Sequence, residues 1–398
     1  MKQRILLVFL LIISANSCID PYYLELEDYE SLLTVEGLIT DEEVSYTIKL
    51  SRTFQSENEA PTMVAGAEVS ILDESGISAV FHEFEPGIYK SDSLQFTGRV
   101  GGTYTLHIKT EDGLEYSSDG CTMTAVPEID SIYYEVDSEF FDQGTIEEPG
   151  IRIYLDAGLG DADSRYIRWE YEEVWKFYVP HPIEDRYVGP HEYESIPTEN
   201  SVCWGYNQSK EVLIHSVQEQ NNDRISRQAI HFIAPRRSNR LLWQYHILVR
   251  QYSLSKQEFL FWKNLKEVTE GEGDIFEKQP FPVLGNIRCN NKEDEKVLGS
   301  LQVSAVKSME RYISYKQIKE LDIPSYEYPC EIIPVISENM FDLNYRILLN
   351  KGYLFYKYGP YFAWDGSSIM AFLFTNAECA DCSLTGDPKK PDFWVDIK

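Results

Sequence analysis

Basic residues are scarce in this 398-residue sequence: 36 Lys and Arg stand against 65 Asp and Glu, a net charge of −29. A surface of that sign repels phosphate, which argues against nucleic-acid binding and against lying flat on an anionic lipid surface. The histidines are few as well (His82, His107, His181, His191, His215, His231 and His246), and none forms the HExxH pair of the commonest zinc proteases. There is no GxSxG elbow, no P-loop and no GxGxxG after a strand, so the local signatures of serine hydrolases, phosphate-loop enzymes and dinucleotide binders are missing. A hydrolase without a local signature stays open. Asp156 to Asp163 gathers carboxylates and glycines, but without EF-hand spacing, so a solvated turn is favoured over calcium. No metal site and no cofactor is expected. After the first 13 residues nothing reaches ~18 consecutive apolar residues, so no membrane-spanning helix is expected. No repeat with a fixed short period appears.

What the chain does have is a distinctive start. Lys2 and Arg4 precede the unbroken apolar run Ile5 to Ile13, and small or polar residues lead to Ser17 and Cys18. This reads as a signal peptide over residues 1–17, too short to span a bilayer. A cysteine directly after a small residue at that place is what a bacterial lipoprotein signal requires. Ala15 stands where Leu is usual. The expectation is cleavage before Cys18 and acylation of its thiol, with several acyl chains giving a stable anchor at about 0.8 kcal/mol per buried methylene. An ordinary signal cleaved elsewhere is the alternative. The expected location is therefore the outer membrane, lipid-anchored, on either face.

Residues 18–32 read as a tether. From residue 33 to 126 the pattern is all β. Val44, Tyr46, Ile48 and Leu50 alternate with polar residues, as do Ala67, Val69 and Ile71, and Tyr104, Leu106 and Ile108. Period-two alternation means one face buried and one wet. Turn signals (Asp73 to Gly76, Pro86-Gly87, Gly101-Gly102, Glu111 to Gly113) separate the runs, which predicts a small immunoglobulin-like β-sandwich. Val126 to Asp130 reads as a hinge. Residues 127–398 read as a larger β-rich domain, with alternating runs at Ile151 to Leu155 and Trp169 to Phe177, a long loop over 179–200, and further strands near 212–217, 245–252, 303–306, 353–358 and 369–374. One helix is predicted over about 255–270. Ser255 and Glu258 form a capping-box pattern, Phe261, Leu265 and Val268 follow at i, i+4 and i+7, and Gly271 offers a stop. The fold class is thus mainly β.

Two aromatic groups invite a binding reading. Trp169, Tyr171, Trp175 and Phe177 alternate strictly, which favours a buried strand face over a sugar-stacking platform. The cluster from Tyr353 to Trp364 breaks alternation around Gly359-Pro360. Its members Tyr358, Tyr361, Phe362 and Trp364 are the candidate ligand or partner contacts, weighed against plain packing. Of seven cysteines, six remain beside Cys18, and an even remainder in an exported chain favours structural disulfides. Cys379-Ala-Asp-Cys382 has redox spacing but no βαβ context, and one CxxC is half a zinc site.

Taken together, Ser17 to Pro21, Val35 to Asp41, Gly66 to Val69, Gly102 to Leu106, Pro127 to Ser131, Gly285 to Ile287, Val297 to Gly299, Cys379 to Cys382 and Pro391 to Trp394 resemble, in order and spacing, a family of Bacteroidota outer-membrane lipoproteins whose domain has no assigned function. The resemblance covers nearly the whole mature chain. Such lipoproteins are typically encoded beside TonB-dependent outer-membrane transporters. The resemblance therefore implies an accessory or ligand-capturing role at a transporter in nutrient uptake. It supplies no catalytic residue and no ligand. It also implies that Cys203, Cys330, Cys379 and Cys382 are the recurring cysteines, with Cys379 and Cys382 each paired to Cys203 or Cys330, and with Cys121 and Cys289 as extras. An extracellular glycan or peptide hydrolase, and a structural or adhesive envelope protein, are the other readings to keep.

Overall fold

The strand Leu33–Ile39 shows how the alternation becomes structure. Leu33, Val35 and Ile39 point into a core, while Thr34, Glu36 and Leu38 face outward. It pairs antiparallel with Thr47–Arg52, whose Ile48 and Leu50 are fully buried. Tyr46 joins them, but Val44 precedes the strand and is 43% exposed, so the buried run begins two residues later than the alternation indicates. The computed structural model describes residues 31–397 apart from 55–59, 77, 93–95, 143, 159, 161–163, 191, 218–223, 271–281, 337–340 and 363–365. The signal, Cys18 and most of the tether, together with Gly271, Trp364 and Asp161 to Asp163, lie outside the described residues.

The protein is mainly β. An eleven-stranded sheet begins with the strands above and continues through Glu68–Asp73, Ser78–Glu85, Ile88–Ser91, Thr103–Lys109 and Glu115–Ser118. The short strands Thr62–Met63 and Cys121–Thr122, and two strands from much later in the chain, Ile287–Cys289 and Val297–Val303, complete it. Val297–Val303 runs parallel to Leu33–Ile39 over all of its length, and Ile287–Cys289 pairs with Glu115–Ser118 at the other edge. The sheet curls until these two edges nearly meet. Asn286 bridges the gap with its side chain: Nδ2 donates to the carbonyl of Leu301 at 2.8 Å, and Oδ1 accepts the Leu301 N–H at 3.0 Å. Two glycines permit this approach. A Cβ on Gly299, whose φ is +80°, would collide with the carbonyl of Val35, and one on Gly285 would collide with the carbonyl of Gly299.

The second body of structure is a five-stranded sheet centred on Tyr166–Tyr178 and Gln244–Leu254, flanked by Val202–Gln208, Leu213–Ser216 and Val306–Ile313. A three-stranded sheet (Ile129–Phe141, Ile146–Gly158, Arg224–Ile233) packs with it. One continuous apolar core runs from Leu33 through Trp169 and Tyr245 to Cys382, so both bodies share it. Where a long loop was expected over 179–200, a short hairpin forms from Asp185–Gly189 and Glu192–Ser195. Its second strand is exposed throughout, so it has no buried face to impose alternation.

The C-terminal part is a third layer. Ile332–Val335, Ser368–Asn376 and Tyr353–Phe362 form a sheet covered by the helix Phe341–Asn350. The break in its aromatic alternation lies between Phe355 and Lys357, where a register shift buries both Phe355 and Tyr356. Two disulfides tie this layer down: Cys330 to Cys379 within it, and Cys203 to Cys382 linking it to the five-stranded sheet. Cys121 and Cys289 are free thiols. The helix read from its cap spans Lys256–Thr269, and Tyr315–Glu320, Phe341–Asn350 and Ala377–Ala380 are further helices. No helix among the described residues is long and apolar enough to cross a membrane.

Candidate functional site

The helix Lys256–Thr269 stands against the outer face of the eleven-stranded sheet, and between them lies a cavity of about 680 Å³. The helix is held at its start by reciprocal bonds. Ser255 Oγ accepts the Glu258 N–H at 3.2 Å, and Glu258 Oε2 accepts the Ser255 N–H at 2.7 Å. The other oxygen of Glu258 reaches past the helix to the N–H of Val303 at 2.8 Å. Glu258 thus caps the helix and pins it to the sheet edge. Burial pushes its carboxyl above the usual range, and the two backbone donors and the nearby charge of Arg168 only partly offset that.

The stripe Phe261, Leu265 and Val268 closes no solid core; it lines this cavity and stays half-buried. Opposite it are Thr34, Glu36 and Leu38 with their parallel partners Leu298, Ser300 and Gln302. Pro282 and Val283 add a third apolar wall. Trp262 anchors the helix side, its indole N–H donating to Gln302 Oε1 at 2.9 Å. Thr47 and Lys49 extend the sheet side, where Lys49 pairs with Glu36 at 3.1 Å.

The remaining wall comes from the central strand of the second sheet, through Arg168 and Glu170. The Arg168 side chain is only 7% exposed. Its guanidinium lies 4.1 Å over Trp262 and 5.0 Å over Tyr252, and its Nη1 donates to Glu170 Oε1 at 2.6 Å. Its Nε–H, fully buried, meets no acceptor among the described residues. The guanidinium, stacked on Trp262 and paired with Glu170, closes one side of the cavity.

A second polar cluster lies inside the core. Glu173, with no side-chain exposure, accepts from Arg240 Nε at 2.9 Å, Asn207 Nδ2 at 2.7 Å and Tyr245 Oη at 2.8 Å. His231 Nε2 is 3.4 Å away, and its Nδ1 is 2.8 Å from Tyr171 Oη. Burial alone would raise the Glu173 carboxyl; the bond and charge of His231, the Arg240 guanidinium and the Asn207 amide outweigh it and hold it down to about 2. It joins the five-stranded sheet to Arg224–Ile233 and to the turn Asn239–Leu241.

Of the aromatic candidates, Tyr358 packs 4.8 Å from Phe372 and 5.5 Å from Tyr193. Tyr361 lies against the small core of Tyr356, Ala371, Leu373 and Ala380. Phe362 is 72% exposed, and none of these three lines the cavity. Trp169, Tyr171, Trp175 and Phe177 are all core residues. Among the described residues no group of three or more His, Cys, Asp or Glu is placed to hold a metal ion. The residues that sequence reasoning passed over are Arg168, Trp262 and Gln302. Arg168 shares the parity of Glu170 and Glu172, which reads as a solvated face; a helix with a capped start and a half-apolar stripe was the only signal leading toward it.

A family model described as a domain of unknown function, DUF4249, matches residues 19–310, a stretch that contains every residue lining the cavity. No curated protein matches. Among solved structures, the BSP domain of a biofilm-associated protein aligns over 75% of this chain and 62% of its own, at 8% identity and a TM-score of 0.12. This chain thus spans less than two thirds of that structure, and the likeness is too slight to carry an argument.

Proposed function

The chain belongs to the DUF4249 family, and we propose that it is a lipid-anchored ligand-capturing protein of the outer membrane that serves a TonB-dependent transporter. The observation that carries the capturing role is the 680 Å³ cavity, walled by a helix and a sheet edge, lined chiefly by apolar side chains and flanked by the Arg168–Glu170 pair. Pockets of that size and lining suit small organic ligands. The chain organisation supports the anchoring: the leader ends at Cys18, and an acidic body follows. A lipid at the mature terminus would keep the cavity at the membrane and raise its effective concentration beside an integral partner. Energy coupling would then belong to the transporter, and the cavity would need only to bind and release.

The partner is tested by affinity purification of the tagged, full-length protein from membranes in mild detergent. Recovery with a β-barrel transporter is expected. Recovery alone, at native expression and after cross-linking, would remove the transporter from the proposal. Capture is tested separately, by loading the purified soluble body with an apolar fluorescent probe.

A further inference from the structure

A smaller cleft of about 390 Å³ shares no residue with the first cavity. The strand Gln244–Leu254 separates the two. Near its end, Ser253 Oγ accepts the Ala305 N–H at 3.0 Å, beside the eleven-stranded sheet, whereas Trp243 of the cleft precedes its start. At ~3.3 Å per residue the strand spans roughly 35 Å. The cleft lies between the end of Tyr166–Tyr178, the helix Tyr315–Glu320 and residues 322–325. Three aromatic rings stand there in a row. Trp243 stacks on Tyr315 with centroids 4.5 Å apart and planes 25° apart, and meets Tyr178 edge-on at 4.7 Å. Tyr178, Trp243 and Tyr315 are 36%, 39% and 38% exposed, so the row keeps over a third of its surface in water. Leu241 and Ile318 form a buried floor.

The rim is polar and accessible. Lys319, Asp322 and Ser325 are exposed. The Trp243 indole N–H, the Asp322 carboxylate and the Ser325 hydroxyl have no hydrogen-bond partner among the described residues, and the Lys319 ammonium has no ion pair there, only the Tyr315 ring at 5.3 Å. Lys319 and Asp322 give the cleft one charge of each sign, in a chain whose net charge is −29. An anion would approach against that wider field, and a cation would meet Lys319. A hydrocarbon would cover the rim donors and acceptors without pairing them, which is costly. A small polar ion would make no use of the rings. A pyranose matches both parts. Its axial C–H groups carry slight positive charge toward an aromatic face, and its hydroxyls each donate and accept. The volume falls within the ~300–1,000 Å³ of small-ligand sites.

We propose that this cleft binds a neutral oligosaccharide of equatorially substituted pyranoses, the gluco configuration. The sugar lies against the Tyr178–Trp243–Tyr315 row and its hydroxyls bond Lys319, Asp322 and Ser325. An axial hydroxyl would stand between sugar and ring, so manno sugars fit less well. The site is independent of the cavity beneath the helix Lys256–Thr269 and does not rest on the capturing reading.

The test is calorimetric titration of the purified full-length protein, in a detergent without a sugar headgroup, with cellotetraose, β-1,4-mannotetraose and trigalacturonate. Cellotetraose should bind at least about tenfold more tightly than either of the others. Trp243→Ala should weaken it at least about tenfold. Asp322→Asn should weaken it about fivefold, since a neutral acceptor replaces a charged one, and Asn accepts the φ of +51° found there. Should either variant fold poorly, the other variant and the three-sugar comparison decide. No binding of cellotetraose, equal binding of mannotetraose or trigalacturonate, or affinity unchanged in both variants would overturn the proposal. So would self-association that depends on Trp243 in sedimentation without any sugar binding, which would assign the rings to a second copy of the chain. None of these outcomes bears on the first cavity, whose probe loading is measured separately.

Discussion

Glu173 and Arg240 form an ion pair at 2.9 Å in which the carboxylate is wholly excluded from water and the guanidinium is 23% exposed. The pair holds the central strand of the second sheet to the turn that carries Arg240. Removing one member of such a pair leaves the other charge uncompensated, which typically costs several kcal/mol. Glu173→Gln is therefore expected to destabilise the fold by about 3 kcal/mol, read by denaturant titration at neutral pH.

The same residue sets an acid limit. His231, Arg240 and Asn207 hold its carboxyl down to about 2 in the folded protein, against an ordinary value of 4.5. A lowered folded value means stability that is complete above pH 4.5 and lost as the pH falls from there toward 2. The amount is ~3 kcal/mol, from 1.36 kcal/mol per unit. Denaturation midpoints between pH 6 and pH 2.5 should fall steeply for the native sequence and less so for Glu173→Gln. Identical slopes would mean that another carboxylate carries the acid transition.

The disulfides should matter most for the C-terminal layer. Cys203–Cys382 closes 179 residues of sequence and Cys330–Cys379 closes 49. In the chain-entropy account, loops of these lengths give roughly 4–5 kcal/mol each, an upper range because the loops overlap and native strain subtracts. Replacing Cys330 and Cys379 by Ser should loosen only the layer that contains Phe341 and Phe374. Replacing Cys203 and Cys382 should release that layer from the five-stranded sheet. Hydrogen exchange of residues 341–376 distinguishes the two, and peptide mapping without reductant checks the pairing itself.

Much of this architecture was legible where a local rule acts alone. Ile48 and Leu50, or Leu106 and Ile108, are buried because a strand with one wet face must alternate, and the sequence carries that period directly. Ser255 and Glu258 announce the helix because the capping box is a four-residue code. The same code at Ser314 and Gln317 marks a short helix that lacks a long apolar stripe to draw attention to it. What was hidden depends on contacts between distant segments. Nothing in Val297–Val303 says that its neighbour is Leu33–Ile39. The evidence lies in Gly285 and Gly299, whose missing side chains make sense only once two backbones are brought together. Arg168 was hidden because an arginine on the same strand face as Glu170 and Glu172 reads as solvent-facing, until a helix from elsewhere covers it.

The cavity itself makes a volumetric prediction. Leu265 lies half-buried on the helix face that lines it. Leu265→Trp would fill space that no side chain among the described residues occupies, so the usual overpacking cost of about 1–3 kcal/mol should not appear. The expected outcome is an unchanged or slightly raised melting temperature with loss of dye binding. A variant that melts lower and still binds would indicate that the helix moves outward to admit the ligand.

The anchoring proposal has its own chemistry, independent of the cavity. If Cys18 is acylated, the mature protein should be heavier than residues 18–398 by the mass of the acyl groups. It should partition into the detergent phase although no helix among the described residues can span a bilayer. Cys18→Ser removes the only thiol that the leader presents for acylation. At about 0.8 kcal/mol per buried methylene, loss of several chains removes all appreciable membrane affinity. The variant should therefore leave the outer-membrane fraction, whether it is released or retained uncleaved as precursor at the inner membrane. Intact-mass measurement on both forms separates these outcomes. A native protein whose mass shows an unmodified first residue, or one that stays in the outer membrane after Cys18→Ser, would mean that the attachment is made by protein contacts instead of lipid.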